Sequence, residues 1–263
     1  MPLQAIDFPA LPECGGAQWT VANIDELAEL TARILLGRAR HVASILHGAI
    51  RQPLDIPKEE LRNSLRRQLI LQPGAQPWHR DGLLFEIICW IAAQITAGPD
   101  EVISDPHLQS TQQGVDSLKV SFDRRSRRLQ TAKIYEQKCT DNPRTHFRDN
   151  VLPAFRDWLT GKRDAELVQL AVGLLDRFSL SDQETEEAYN RLIQDRPLQF
   201  ETALTVSPAA FPVASCMTLF KDFSSLQGDV TTRFGVTFPL DDLRPWFEGF
   251  AQRVYAYIGA ADV

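Results

Sequence analysis

The chain has 263 residues, 44% hydrophobic and 24% charged, so it can bury a sizeable core and disorder is not its default state. Its 28 Lys and Arg against 34 Asp and Glu give a net charge of −6, which argues against a protein that coats nucleic acid with a generally basic surface but leaves room for a local basic patch. Cys14, Cys89, Cys139 and Cys216 are widely spaced and form no C-x-x-C pair, so reduced thiols are expected rather than a disulfide framework or a zinc ribbon.

Residues 1 to about 22, rich in Pro, Gly and small side chains, read as an irregular arm. No cationic segment precedes an apolar run there, so no signal peptide is expected. Asn23 stands as an N-cap before Asp25 and Glu26, two acids that suit the first turn of a helix. Ile24, Leu27, Leu30, Ile34, Val42, Ile45 and Leu46 follow at helical spacing, interrupted at Gly37. Pro57 opens a second helix, KEELRNSLRRQLILQ, which stops before Pro73-Gly74. Residues 1–72 are therefore expected to form an arm and a helical extension, and residues 73–263 the main domain.

From Pro77 the rhythm changes. Asp81 to Ile95 is a strongly apolar helix, stopped by Gly98-Pro99. It is too short to span a bilayer and carries Glu86, so a cytoplasmic protein with no membrane partner is expected. Three strands are predicted next: VISDPHLQ (102–109), GVDSLKVSF (114–122) and RLQTAKIYEQKC (128–139). Asp141-Asn142-Pro143 ends the third, and residues 144–161 read as a helix despite Pro153. Helices at about 164–178 and 182–194 follow, the second opened by a capping box from Ser181 and Glu184. FETALTVSP (200–208) and TTRFGVTFP (231–239) read as strands, and residues 240–258 as a closing amphipathic helix. This order predicts an α/β fold with helices covering a sheet.

The polar turn DRRSRR joins the second and third predicted strands into an antiparallel hairpin. Early residues of the first arm then lie beside late residues of the second, which brings Asp116 near Glu136. Side chains alternate along a strand, so Glu136 and Lys138 share a face. The three side chains either meet at one site or form a solvated strand face with a cross-strand ion pair. Two adjacent carboxylates repel unless they share a cation, and hard oxygen ligands suit Mg²⁺ or Mn²⁺. A lysine beside such an ion holds an attacking water and offsets charge growing on a phosphate.

Asp116, Glu136-Gln137-Lys138 and the preceding GLLFE, which carries Glu86, resemble the PD-(D/E)XK nuclease superfamily over about residues 77–160. The resemblance implies a restriction-endonuclease-like core of a helix, three strands, a helix and further strands, behind the helical N-terminal extension. It assigns Asp116, Glu136, the Gln137 backbone carbonyl and the helix acid Glu86 to the metal site and Lys138 to the water; the competing reading of Glu86, flanked by apolar residues, is that it only caps a neighbouring backbone group. No Pro precedes Asp116, where the family often carries one. The implied activity is Mg²⁺- or Mn²⁺-dependent hydrolysis of DNA by an endonuclease or an exonuclease. Standalone chains of this sort resemble effectors of bacterial antiviral defence that work beside a helicase or ATPase subunit. A non-catalytic interaction subunit that keeps the fold, and an RNase, are the competing readings.

Arg124, Arg125, Arg127 and Arg128 of the hairpin turn, helped by Lys119 and Lys133, are expected either to grip phosphates beside the site or only to solubilise the turn. His107 and Gln109 on the first strand are placed to orient water or substrate, or to serve structure. No two histidines stand at i, i+4, so a zinc site is not expected.

Overall fold

A computed structural model of the protein describes residues 1–9, 11–53, 58–109, 115–207 and 212–259. Its centre is a seven-stranded mixed sheet in the order β1-β2-β7-β6-β5-β4-β3. The strands are β1 (Leu3–Asp7), β2 (Gly15–Val21), β3 (Glu101–Ile103), β4 (Ser117–Asp123), β5 (Arg128–Lys138), β6 (Leu198–Val206) and β7 (Arg233–Pro239). The meander β3-β4-β5 is antiparallel, β5, β6, β7 and β2 run parallel, and β1 returns antiparallel to β2.

Helices cover both faces. On one face, α1 (Ile24–Leu35), α2 (Ala39–Leu46), α3 (Glu59–Leu69), α4 (Trp78–Thr96) and α10 (Leu243–Gly259) share a core with Tyr135, Ala203, Val236 and Phe238 of the sheet. Phe85 of α4 sits at its centre, edge-on to Phe238 and Phe247 at 5.9 and 6.4 Å. Burying one such ring contributes about 1.5–3 kcal/mol, which anchors α4 next to Glu86. On the other face, α6 (Leu152–Leu159), α7 (Asp164–Leu175), α8 (Asp182–Gln194) and α9 (Val213–Leu219) pack on Leu118, Val120, Ile134, Phe200 and Leu204. No helix among the described residues is long and apolar enough to cross a membrane.

Several local expectations hold. Asn23 Oδ1 accepts from the Glu26 N–H at 3.0 Å and caps α1, which gives way to α2 at Gly37, where φ is +78°. The Ser181–Glu184 capping box opens α8. The helix after Asn142 runs from α5 (Pro143–His146) through a π-turn (Phe147–Val151) into α6. The turn precedes Pro153, whose ring has no N–H to give and would crowd an ordinary helical carbonyl, so a wider turn relieves it.

Other expectations are corrected. Residues 1–22 are not an irregular arm, because β1 and β2 extend the sheet beyond β7. Gly16 makes this docking possible: a Cβ there would stand 1.8 Å from the Gly235 carbonyl oxygen. The first predicted strand keeps only its opening, since β3 ends at Ile103, Ser104 makes a last bond to Leu118, and the chain leaves the ladder at Asp105-Pro106. The second begins at Ser117, so Asp116 precedes it, and Gly114 lies outside the described residues. Pro57, expected to open the second helix, lies outside them too. Helix α9 was not foreseen from the sequence.

Candidate active site at the carboxyl end of β5

Strand β5 enters at Arg128 and leaves at Lys138, where its neighbour β6 and, beyond it, β7 also point their carboxyl ends. In open α/β sheets ligands bind outside such ends. The β4–β5 ladder pairs Ser117 with Tyr135, so one further step sets Asp116 opposite Glu136. Asp116 Oδ2 accepts from the Gln137 N–H at 2.5 Å, which fixes the carboxylate over the strand end. Lys138 Nζ lies 3.3 Å from Asp116 Oδ2 and 3.0 Å from Glu136 Oε2. The structure thus brings Asp116, Glu136 and Lys138 together.

Their electrostatics follow from burial. Glu136 is 6% exposed, and loss of water pushes its carboxyl above the usual range. The Asp116 charge pushes the same way, while Lys138 and Arg163 oppose it. Burial alone would weaken the Lys138 ammonium, but the two carboxylates outweigh it and raise the group above its ordinary value. Lys138 is therefore a firmly protonated cation between two acids.

Glu86 lies on α4 and lines a cleft of about 220 Å³ with Asp116, Gln137, Gln109 and His79. Its carboxylate is held by His107, through the backbone N–H at 2.9 Å and Nδ1 at 3.2 Å. The same contact raises the His107 imidazole against the effect of its burial. Both Glu86 oxygens are thus engaged within the cleft. Gln109, which lines the cleft, and His107, which holds Glu86, come from the segment after β3 and not from a strand.

Three polar atoms around the strand end are buried and have no hydrogen-bond partner among the described residues: Gln137 Oε1, Ser117 Oγ and Thr202 Oγ1. Thr202 is the β6 neighbour of Glu136. Buried polar atoms left unpaired are costly, and they mark places where water, an ion or a substrate atom completes the set. Asp116 and Glu136 offer carboxylate oxygens and the Gln137 backbone a carbonyl oxygen, the donor type that Mg²⁺ and Mn²⁺ take. No group of three or more Asp, Glu, His or Cys among the described residues is close enough to hold an ion alone. The residues present therefore fit an ion that keeps several waters, as Mg²⁺ does with one or two carboxylates.

No protein-family model, curated protein or solved structure matches this chain. The chemistry is read from its own residues.

The hairpin arginines are not where the site would use them. Arg124, Arg125, Arg127 and Arg128 lie at the start of β5, and ten residues at about 3.3 Å each put them roughly 33 Å from Lys138. A hairpin turn lies at the end of the ladder opposite its open end, and the acids are at the open end. Arg124 pairs with Asp100 at 3.1 Å, and Arg127 grips Glu184 at 2.5 Å. Lys119 is turned away as well, on the sheet face that α4 covers, paired with Glu101 at 2.7 Å.

One cation near Glu136 carried no signal in the sequence. Arg163, at the start of α7, stacks 4.0 Å over Trp158, and its charge favours the Glu136 carboxylate. A loop arginine 27 positions beyond Glu136 has no motif to announce it; only the packing of the π-turned helix brings it back.

Proposed function

We propose that the chain is a divalent-metal-dependent nuclease that hydrolyses phosphodiester bonds in DNA at the carboxyl end of β5. One observation carries the reading: Lys138 Nζ stands between Asp116 and Glu136, 3.3 and 3.0 Å from their oxygens, and Asp116 also lines the cleft that holds Glu86. The opening succession α4, β3, β4, β5, α6 is compatible with the helix, three strands and helix that the resemblance implies, with α7 and α8 added before β6. Mg²⁺ or Mn²⁺ at Asp116 and Glu136, when bound, would supply Lewis acidity towards a phosphate and its water. Asp116 and Glu136 carry the negative charge that holds the site's cations, with the Gln137 N–H fixing Asp116. Lys138 donates hydrogen bonds to an incoming water or phosphate oxygen and offsets the charge that develops there. Glu86, held by His107, orders water in the cleft. Work beside a helicase or ATPase subunit in antiviral defence extends this proposal through the family resemblance alone.

A non-catalytic binding subunit is the second reading, favoured by the ion pairs of Lys138 with both acids and by the engagement of Glu86 with His107. Cleavage of supercoiled plasmid, linear duplex and single-stranded RNA with Mg²⁺ or Mn²⁺ separates the two. The expected result is DNA cutting by wild type that falls about a hundredfold or more in Lys138→Met and in Glu136→Gln. Cutting that survives both substitutions would remove the site from the reading. Metal binding by folded wild type without cutting of any substrate would favour the binding subunit, and cutting confined to RNA would replace DNA as the substrate.

A further inference from the structure

A second cavity, of about 340 Å³, lies on the opposite side of β4 and β5 from Glu136 and Lys138, between the sheet and α4. Its floor carries four charged side chains in spatial order across the sheet: Glu101 of β3, Lys119 of β4, Lys133 of β5 and Glu201 of β6. The order acid, base, base, acid sets the two bases side by side at the middle of the row. Lys119 and Lys133 are direct cross-strand partners, and like charges placed opposite each other destabilise a sheet. Both are buried, at 8% and 7% exposure. Among the described residues Lys119 has one carboxylate contact, with Glu101 at 2.7 Å, and Lys133 has one, with Glu201 at 3.1 Å. An ammonium has three donors, so each keeps N–H groups that no carboxylate takes up.

The walls are of another kind. Trp19 and Phe234 supply aromatic surface, Lys133 Nζ standing 3.5 Å above the Phe234 ring, and Ala92 and Ala93 of α4 leave the space open. Asp7, exposed at the rim, adds a negative charge that disfavours a highly charged anion. The volume falls within the range of small-molecule sites.

We infer that this cavity binds a small organic anion made of a flat ring and one phosphate or carboxylate group, with the anion bridging Lys119 and Lys133 and the ring between Trp19 and Phe234. The site is separate from the proposed nuclease centre, and its test does not depend on cleavage. Isothermal titration of the full chain with AMP, indole-3-acetate, adenosine, inorganic phosphate and ATP decides it. AMP or indole-3-acetate is expected to saturate the protein with a dissociation constant below about 0.1 mM, an ordinary value for a small ligand. AMP binding would identify the head group as phosphate and indole-3-acetate binding as carboxylate. Adenosine and phosphate alone, each lacking half of the recognition, and ATP, opposed by Asp7, should bind at least tenfold more weakly. Lys133→Met should weaken the preferred anion tenfold or more. Ala93→Leu, which fills the cavity without touching its charges, should do the same in a protein that keeps its folded circular-dichroism spectrum. Failure of both ring-bearing anions to saturate wild type would overturn the inference, as would equal affinity in folded Ala93→Leu.

Discussion

At the scale of single residues, Glu136 sets a stability cost that titration can expose. Its carboxyl is raised in the folded state, chiefly by burial and then by Asp116, so the folded protein holds that proton more tightly than the unfolded chain. The stability contributed by the protonated group is fully present below the unfolded value of 4.5 and is lost as pH rises through the folded value. Glu136→Gln removes this loss. Without divalent ions the variant should be more stable than wild type at pH 7, with the two converging near pH 4. Urea unfolding of both proteins across this range checks the sign, and a variant less stable at pH 7 would contradict it. His107 obeys the same rule with a different partner. Its hydrogen bond to Glu86 raises the imidazole above 6.5, so the contact is stabilising below that pH and fades as pH rises through the folded value. The His107 ring resonances should titrate above 6.5 in wild type, and Glu86→Gln should lower the midpoint.

At the scale of elements, the attachment of β1 and β2 turns on one glycine. Gly16 and Gly235 are parallel neighbours, and a Cβ on Gly16 would fall 1.8 Å from a backbone oxygen that cannot move aside. Gly16→Ala should cost at least about 3 kcal/mol and release the β1–β2 hairpin first. Gly37→Ala, with positive φ but nothing within 4 Å of its Cβ, should cost only about 1–2 kcal/mol. Native-state hydrogen exchange would show it: early loss of protection at Gln18 and Thr20 in Gly16→Ala, and none in Gly37→Ala. The hairpin also illustrates what the sequence hides. Edge strand β1 buries only Leu3 of its five residues, so it lacks the alternation that marks a half-buried strand. Strand β5, bounded by the arginine turn and by Asp141-Asn142-Pro143, and α8, with its capping box, announce themselves through local chemistry. The convergence of Asp116, Glu136 and Lys138 was legible for the same reason, since a short turn and period-two alternation set the register. The Glu86–His107 contact was not, because it needs the chain from Asp105 to Gln109 to leave the sheet, and Arg163 arrives by tertiary packing alone. The hairpin arginines were drawn to the acids by closeness in sequence, although an eleven-residue strand separates them.

At the scale of the whole molecule, one sheet carries two cores, and β5 contributes Ile134 to one and Tyr135 to the other. Anything that steadies the end of β5 therefore bears on both layers, and a ligand there should stabilise the fold as a unit. If Asp116 and Glu136 hold a divalent ion, binding to the folded state alone adds about 2.7 kcal/mol at a hundredfold excess over the dissociation constant. For a chain of this size that is a rise of about 5–10 °C in the unfolding midpoint. The rise should appear with Mg²⁺ or Mn²⁺, vanish with EDTA and be absent in Asp116→Asn, while His107→Gln keeps most of it. The ion also reverses the sign at Glu136: it favours the carboxylate, so with metal present wild type should overtake Glu136→Gln in stability at pH 7. Thermal unfolding of the three variants and wild type, with and without metal, tests this crossing. An equal rise in Asp116→Asn would place the ion elsewhere, and Lys138 would then be the cation that the two acids share.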